Sequence, residues 1–296
     1  MASLRDVRRR IRSFQNTQKI TKAMQVVSAT RLRRAQAAVQ AARPYAEKMD
    51  EVLAATAERA TEYRHPYLER REGGRALVVV VTADRGLCGA LNSNTLRAVT
   101  RYVNDHHAGR ARYVTIGRKG RDFLARYRRE IVAEVSGLGD RPGVAAILPV
   151  IRAALDEYDG DRADTVLLAY ARWVSTLRQE AEVRVLLPIQ IPTAPSPPEG
   201  EGRGGGERRP SVDYIYEPGP EAVLDALLPR YVETQVYRAL LENQASFYSA
   251  QMIAMQNATN AAGELIESYT LMANKIRQAA ITTELMEIVG GAEALR

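Results

Sequence analysis

Residues 230–289 read RYVETQVYRALLENQASFYSAQMIAMQNATNAAGELIESYTLMANKIRQAAITTELMEIV. The stretch contains no proline, and Gly263 is its only glycine. At about 1.5 Å per residue, a helix over these roughly 60 residues would be roughly 90 Å long. Because no compact domain of ordinary size can bury such a helix along its whole length, the stretch predicts a helix that leaves the globular body.

Apolar or small residues recur along this stretch at alternating steps of four and three. They are Leu241, Ala245, Tyr248, Met252, Met255, Thr259, Ala262, Ile266, Tyr269, Ala273, Ile276 and Ala280. A repeat of about 3.5 residues keeps one stripe of a helix against a partner, so the pattern predicts a coiled-coil seam. Beyond Ala280 the apolar phase shifts to Ile281, Leu285 and Ile288, which predicts a change of partner.

The N-terminal stretch carries a matching repeat and supplies the partner. Its members are Leu4, Val7, Ile11, Phe14, Gln18, Thr21, Gln25, Ser28, Leu32, Ala35, Val39, Ala42, Ala46, Met49 and Leu53. The members between Gln18 and Ser28 are polar, whereas Ile20, Met24 and Val27 are apolar on a neighbouring face. We therefore expect a second, partly polar contact at the middle of this helix. Two long terminal helices around a globular segment predict an antiparallel hairpin.

The limits of the first helix are marked by local signals. Ser3 is a suitable N-cap, and the helical pattern continues to about Arg59. Pro44 lies inside this range and is expected to bend or break the helix, because it lacks a backbone donor.

The composition limits the possible partners and compartments. The chain of 296 residues is long enough for about two domains, and its apolar content of 46% permits a substantial core. Its net charge is +7. A basic balance indicates an anionic partner, which could be nucleic acid, a phospholipid surface or an acidic protein. Cys88 is the only cysteine, so an intrachain disulfide is excluded, a structural zinc site is improbable and a reducing compartment is expected. No segment resembles a signal peptide or a membrane span, which predicts a chain that is soluble or held at a membrane by another protein.

The middle of the chain alternates short strands and helices. Strands are predicted at ALVVVVT, ARYVTIG, IVAEVSG, DTVLLAY and EVRVLLPIQI, and helices at residues 92–106, 117–128 and 144–158. This alternation predicts a mainly parallel, Rossmann-like α/β domain.

The first strand ends in TADRGLCGALN, a glycine-bearing turn into a helix. Such turns can bind phosphate, but Gly86 and Gly89 match neither common phosphate-binding motif. A structural turn capped by Asn92 or Asn94, with Asp84 and Arg85 as a structural pair, is favoured. No catalytic set of Ser, His and Asp residues is recognisable, and no cofactor or metal site is predicted.

Two segments before the last helix have their own character. Residues 193–211 are rich in proline and glycine and predict a flexible loop. The segment VDYIYEPGP, residues 212–220, predicts an edge strand or docking loop that exposes Tyr214, Tyr216 and Glu217. The complete division is a helix over 1–60, an α/β domain over 75–192, these two segments, and a helix over 221–296.

Several long motifs in this order resemble one family. They are QNTQKITKAMQVVSA, RPYAE, TADRGLCGALN, DYIYEP and NKIRQAAITTELMEIVGGA. Together they closely resemble the gamma subunit of F-type ATP synthase over nearly the whole chain.

The resemblance implies a rotor shaft. The paired helices would stand inside a ring of three alpha and three beta subunits, and the globular body would sit beside epsilon on the membrane rotor ring. Proton flow would turn the shaft and drive each beta subunit in turn through its catalytic states. The chain itself would be non-catalytic, and the resemblance implies a peripheral membrane location on the cytoplasmic side of a bacterial cell membrane.

The resemblance also implies contact residues. Lys19, Lys22 and Met24 would meet acidic loops of the beta subunits, and Arg277, Gln278, Thr282 and Glu284 would form a hydrogen-bonding catch on a beta subunit. An antiparallel hairpin is expected to bring Lys19 and Lys22 level with Lys275 and Arg277 as a basic collar. Tyr214, Tyr216 and Glu217 would form a foot that contacts epsilon and the rotor ring.

The sequence departs from the family pattern in three places. The loop over 193–211 is longer than usual, Pro229 predicts a kink or a fresh helix start, and the paired cysteines of plant-type members are absent, which excludes their redox switch.

Two other function classes stay open from residues alone. One is a nucleic-acid-binding protein that uses the arginine-rich first helix, and the other is a nucleotide-dependent enzyme that uses the Gly86–Gly89 turn.

Overall fold

The computed structural model describes residues 3–59, 63–190 and 219–293, except for the side chains of residues 58 and 291–293. Its five helices are α1 (Leu4–Arg59), α2 (Leu91–His107), α3 (Arg118–Arg126), α4 (Leu148–Asp159) and α5 (Pro220–Glu293). The strands within the described ranges are β1 (Ala76–Val81), β2 (Ala111–Ile116), β3 (Ile131–Val135), β4 (Thr165–Trp173) and β5 (Gln179–Leu187). The predicted fold class, two long terminal helices with an α/β domain between them, is confirmed.

The described residues form two compact units. The two-helix unit contains residues 3–31, 87–89 and 248–293, and the sheet unit contains residues 32–59, 63–86, 90–190 and 219–247. Helices α1 and α5 each contribute residues to both units.

The sheet unit is built on a five-stranded sheet in the order β3-β2-β1-β4-β5. Strands β1 to β4 pair in parallel, and β5 runs antiparallel to β4 at one edge. All six residues of β1 are buried, as expected for a central strand covered on both faces. Alternate residues point to opposite faces, so Leu77 and Val79 belong to one core and Val78 and Val80 to the other.

The two faces are covered by different helices. Residues of α2 and α3, among them Val99 and Leu124, pack on one face of the sheet. Helix α4 packs on the other face together with the parts of α1 and α5 that belong to this unit, as shown by Leu53 and Leu228. This arrangement confirms the predicted Rossmann-like layering.

Several element limits differ from those expected. The β4–β5 hairpin extends each strand to the pair Trp173 and Gln179, and β5 ends at Leu187 because Pro188 has no amide to donate. The helix expected over 144–158 begins as a short 3-10 turn, Val144–Ala146, and α4 starts only at Leu148. Pro149 stands in the first turn of α4, a position where a missing amide costs no hydrogen bond.

Neither internal proline breaks its helix. Helix α1 continues through Pro44, which is exposed and donates no hydrogen bond to the carbonyl four residues earlier. The expectation of a fresh helix start at Pro229 is wrong, since α5 begins at Pro220. Around Pro229 the side chains of Leu224, Leu228 and Val232 are at most 1% exposed, and this packing holds the helical turn despite the lost hydrogen bond.

The N-terminus of α1 is capped as predicted. The backbone amide of Asp6 donates to Ser3 Oγ at 3.2 Å, and Ser3 Oγ donates to the Asp6 carboxylate at 2.8 Å. The hydrogen bond from Ser3 lowers the pKa of Asp6. This reciprocal pair satisfies one of the free amides at the helix start and fixes where α1 begins.

Candidate functional site: the two-helix unit

Three pairs of side chains define the register between α1 and α5. The pairs are Arg10 with Tyr269, Thr21 with Thr259, and Ser28 with Gln251, with hydrogen-bond distances of 2.9, 2.7 and 2.9 Å. Residue numbers fall along α5 as they rise along α1, so the two helices are antiparallel, as predicted. The lone glycine of the stretch, Gly263, faces Gln18, whose Nε2 would lie only 3.2 Å from the Cβ of a larger residue.

The predicted seam is confirmed on both helices. None of its members from Leu4 to Leu53 is exposed, nor is any from Leu241 to Ile276. Val7 is 1% exposed and Ala262 is 4% exposed, so the apolar positions of the two-helix unit are packed as a coiled-coil core requires.

The seam ends at Ile276. Ala280 is exposed, and so is every side chain over 277–290. The residues at the shifted apolar phase, Ile281, Leu285 and Ile288, are 50, 57 and 68% exposed. Within the described residues, this end of α5 packs against nothing, so its apolar side chains are available to another protein.

The predicted basic collar is wrong. Lys19 and Lys22 flank Thr21 and therefore lie level with Thr259, whereas Lys275 is roughly 24 Å further along α5. Because Arg10 pairs with Tyr269, Lys275 and Arg277 lie level with the first turns of α1. The sequence showed that the helices pair but carried no signal for their axial offset.

Two separate basic bands replace that collar. The first band consists of Lys19 and Lys22, both exposed, beside the half-buried Met24. The second consists of Lys275 and Arg277 on α5 together with Arg5, Arg8 and Arg9 at the start of α1, all exposed. The sequence reading did not single out these three arginines as site residues, and only the register brings them level with Lys275 and Arg277.

The residues expected to form a catch all lie on the free end of α5. Arg277, Gln278, Thr282 and Glu284 are exposed. The hydroxyl of Thr282 donates to the carbonyl of Gln278 at 2.9 Å, within the helix. Their remaining polar groups are exposed to solvent.

The turn after β1 is structural. The carboxylate of Asp84 accepts the backbone amides of Arg118 and Gly137, both at 2.9 Å, and the Thr82 hydroxyl accepts that of Gly120 at 2.8 Å. The side chains of this turn therefore bind backbone amides of neighbouring segments and hold these segments together. The expected pair of Asp84 with Arg85 is wrong, since Arg85 pairs with Asp140 at 3.0 Å.

The expected cap of this turn is confirmed for Asn92, whose side-chain oxygen accepts the backbone amide of Ala83 at 3.1 Å. The N-terminus of α2 at Ala90 has no side-chain cap of its own.

Neither a metal-binding group nor a membrane-spanning helix occurs among the described residues. Over residues 3–59, 63–190 and 219–293 no group of three His, Cys, Asp or Glu side chains could hold a metal ion. In the same ranges no helix combines the length and the apolarity needed to span a membrane. The foot residues Tyr214, Tyr216 and Glu217 and the loop over 193–211 lie outside the described residues.

Comparison with known proteins gives matches over the whole chain. A family model described as ATP synthase matches residues 3–295. The ATP synthase gamma chain of Ralstonia nicotianae is 45% identical over 297 residues, and that of Moorella thermoacetica is 46% identical over 297 residues. Each alignment covers 100% of both chains.

Solved structures share the fold at lower identity. A chain of the Euglena gracilis mitochondrial ATP synthase (OSCP/F1/c-ring) matches with a TM-score of 0.65 and 17% identity, covering 99% of this chain and 94% of that one. A chain of the Tetrahymena thermophila mitochondrial ATP synthase (central stalk/c-ring) matches with a TM-score of 0.58 and 20% identity, covering 81% and 99%. With its whole length matched by the family model and by these relatives, the chain belongs to the ATP synthase gamma chain family.

Proposed function

We propose that this chain is the central-stalk rotor subunit of a proton-translocating F-type ATP synthase, where it transmits torque between the membrane rotor ring and the beta subunits. The observation that carries the proposal is full-length identity of 45% to a gamma chain. Its partners would be three alpha and three beta subunits, the epsilon subunit and the c-ring. The chain would contact the membrane only through other subunits, on the cytoplasmic side of the cell membrane.

The two-helix unit has the properties that a shaft needs. Its seam is packed on both helices, as shown by Val7 of α1 and Ala262 of α5, so the two helices reinforce each other against bending. The free end of α5 exposes Ile281, Leu285 and Ile288, which suit rotation inside an apolar sleeve formed by other subunits. A shaft of this kind makes and breaks no covalent bonds, so the chain would be non-catalytic and would need no cofactor.

We assign the beta-subunit contacts to the two basic bands separately. Lys19, Lys22 and Met24 would meet an acidic loop at one level, and Lys275 with Arg277 would meet a beta subunit roughly 24 Å away along the helix. Exposed ion pairs are individually weak, so such contacts can be exchanged as the shaft turns. Gln278, Thr282 and Glu284 would add hydrogen bonds beside the second band.

The foot that contacts epsilon and the rotor ring remains a proposal from the family resemblance. Its residues are Tyr214, Tyr216 and Glu217, and the sequence places them just before α5.

Purification of the tagged chain from its own cells tests the central proposal. We expect alpha, beta and epsilon subunits to copurify with it. Recovery of the chain without alpha and beta subunits would contradict the proposal. If the chain were instead a nucleic-acid-binding protein, it would bind duplex DNA with strong salt dependence, and no comparison supports that alternative.

Charge reversal distinguishes the two bands. We expect the variant Lys19→Glu with Lys22→Glu, and separately Lys275→Glu with Arg277→Glu, to reduce proton-driven ATP synthesis several-fold while the complex still assembles. Each pair lies in one band, so a loss confined to one variant identifies the contact that matters.

The matched control reverses Arg126, an exposed residue of α3 in the sheet unit. We expect Arg126→Glu to keep normal synthesis. Normal synthesis by both double variants would remove the basic bands from the mechanism without affecting the family membership.

A further inference from the structure

A groove of about 410 Å³ lies in the sheet unit between α2 and α3. Its floor is apolar, since Leu96, Tyr113 and Leu124 are 5, 3 and 3% exposed. Phe123 and Tyr127 form one wall, with ring centroids 4.8 Å apart, and Tyr127 is 62% exposed. An exposed aromatic ring beside a buried apolar floor is typical of surfaces that bind a partner's side chain.

Two arginines border this groove. Arg97 on α2 makes only a long contact with the Asn94 side chain at 3.4 Å, and Arg129 follows α3. In the described part of the chain neither guanidinium is paired with a carboxylate. Charged groups left unpaired at the rim of an apolar groove are ready to bind an anion, and Arg does so through two parallel hydrogen bonds to a carboxylate.

The surroundings reinforce this positive charge. The segment over 118–130 contains Arg118, Lys119, Arg121, Arg126, Arg128 and Arg129, against Asp122 and Glu130. Both acids are already engaged, Asp122 by Arg121 at 2.8 Å and Glu130 by Arg112 at 2.7 Å. The groove therefore presents a net positive rim, which attracts acidic groups and repels basic ones.

We propose that this groove binds an acidic segment of a partner protein, with an aromatic or branched apolar side chain inserted between Phe123 and the floor. Carboxylates on either side of that side chain would pair with Arg97 and Arg129. Tyr, Phe and Arg around a buried apolar centre are the residues that contribute most to protein interfaces. The exposed walls favour an inserted side chain over a small molecule, because small-molecule sites enclose most of their ligand.

This inference rests on the geometry of the sheet unit alone and does not depend on the rotor role. The test uses the full-length chain and a fluorescein-labelled peptide, Glu-Asp-Glu-Trp-Leu-Glu-Asp, with binding followed by fluorescence anisotropy. We expect saturable binding, at least tenfold weaker for the variant Arg97→Glu with Arg129→Glu. Tyr127→Ala should also weaken binding although it changes no charge.

Matched controls separate the groove from general charge attraction. Arg101→Glu alters an exposed arginine of α2 that does not line the groove and should bind the peptide normally. A peptide with Ser-Ser in place of Trp-Leu should bind at least tenfold more weakly. Melting curves of all variants report whether the fold is intact.

Four results would overturn the proposal. Three are no saturable binding, equal loss for Arg101→Glu, and equal affinity for the Ser-Ser peptide. The fourth is displacement of the peptide by a duplex oligonucleotide at equal affinity, which would assign the groove to nucleic acid.

Discussion

At the residue scale, the buried carboxylate of Asp164 shows how one side chain joins two segments. It accepts the backbone amide of Arg75 at 2.9 Å and the guanidinium at 3.0 and 2.7 Å. We predict that Asp164→Asn lowers the free energy of unfolding by about 2 kcal/mol at pH 7, because a buried hydrogen-bonded ion pair is broken. Chemical denaturation followed by circular dichroism measures the loss.

The same residue predicts a pH dependence. The hydrogen bonds from Arg75 lower the pKa of Asp164, so its stabilising effect is present above the unfolded pKa and is lost as the pH falls through the lower folded pKa. The difference between wild type and Asp164→Asn should therefore shrink in acid. The control is Asp161→Asn, which removes an exposed pair with Arg71 and should cost less than about 0.5 kcal/mol. An equal loss for both variants would contradict the special role of Asp164.

For the buried carboxyl group of Asp50 we expect the opposite dependence of stability on pH. Burial raises its pKa, and its Oδ1 atom is buried without a hydrogen-bond partner. A raised folded pKa means that the native state binds the proton more tightly, so this contribution to stability is present below the unfolded pKa and is lost as the pH rises. We predict that the stability of Asp50→Asn relative to wild type increases from about pH 4 upward. Denaturation at a series of pH values checks this, and a difference that falls with pH would contradict it.

At the element scale, the seam between α1 and α5 contains a hydrogen-bonded polar pair, Thr21 and Thr259. One of the hydroxyls of Thr21 and Thr259 donates across the seam, and the other donates to a carbonyl of its own helix, either Thr21 to Gln18 at 3.1 Å or Thr259 to Met255 at 2.8 Å. We predict that either Thr→Val change costs about 1 kcal/mol, because the partner loses a hydrogen bond, while the double change costs almost nothing. The resulting coupling of about 2 kcal/mol, the sum of the two single costs minus the cost of the double change, is measured by a double-mutant cycle in thermal or chemical unfolding.

The control for this cycle is Thr30→Val. Thr30 is exposed, and its hydroxyl donates to the carbonyl of Val26 at 3.2 Å, as Thr21 bonds within its own helix. The change should cost less than about 0.5 kcal/mol. Additive costs for the Thr21 and Thr259 variants would show that the hydroxyls do not interact across the seam.

The elements also show which features a sequence can predict. The repeat of steps of three and four gave every seam position up to Ile276, because burial along a helix follows its period. The expected helix start at Pro229 is wrong because packing around Leu228 and Val232 outweighs one lost hydrogen bond. Turn chemistry was also missed, since Asp84 bonds to amides of Arg118 and Gly137 that are far away in sequence.

At the scale of the whole molecule, the candidate site depends on features that no local pattern contains. The axial offset between α1 and α5, which separates Lys22 from Arg277, follows from long-range pairs such as Arg10 with Tyr269. The groove between α2 and α3 combines Leu96, Tyr113 and Tyr127 from three parts of the chain. The structure shows that Lys19, Lys22, Lys275 and Arg277 are exposed, a property that the family resemblance alone does not give.

The free end of α5 should contribute little to the stability of the chain itself but should be needed for the activity of the complex. Truncation after Ala280 removes Ile281, Leu285 and Ile288, which pack against no described residue. We predict that the stability of the free chain changes by less than about 0.5 kcal/mol, because the described side chains beyond Ala280 are exposed and contribute little burial. In the assembled complex the same truncation should reduce coupled ATP synthesis several-fold, because it removes exposed apolar side chains together with Thr282 and Glu284, for which we propose contacts with a beta subunit.

The matched control is a truncation after Ser268, which also removes Tyr269, Ala273 and Ile276 from the seam. Tyr269 packs against Phe14 with ring centroids 5.4 Å apart and accepts the hydrogen bond from Arg10. We expect this variant to lose roughly 3 kcal/mol or more of stability, since burial of one aromatic ring alone contributes about 2 kcal/mol. If the first truncation destabilises the free chain as much as the second, the register is wrong. If the first leaves synthesis unchanged, the exposed end of α5 is not a functional contact.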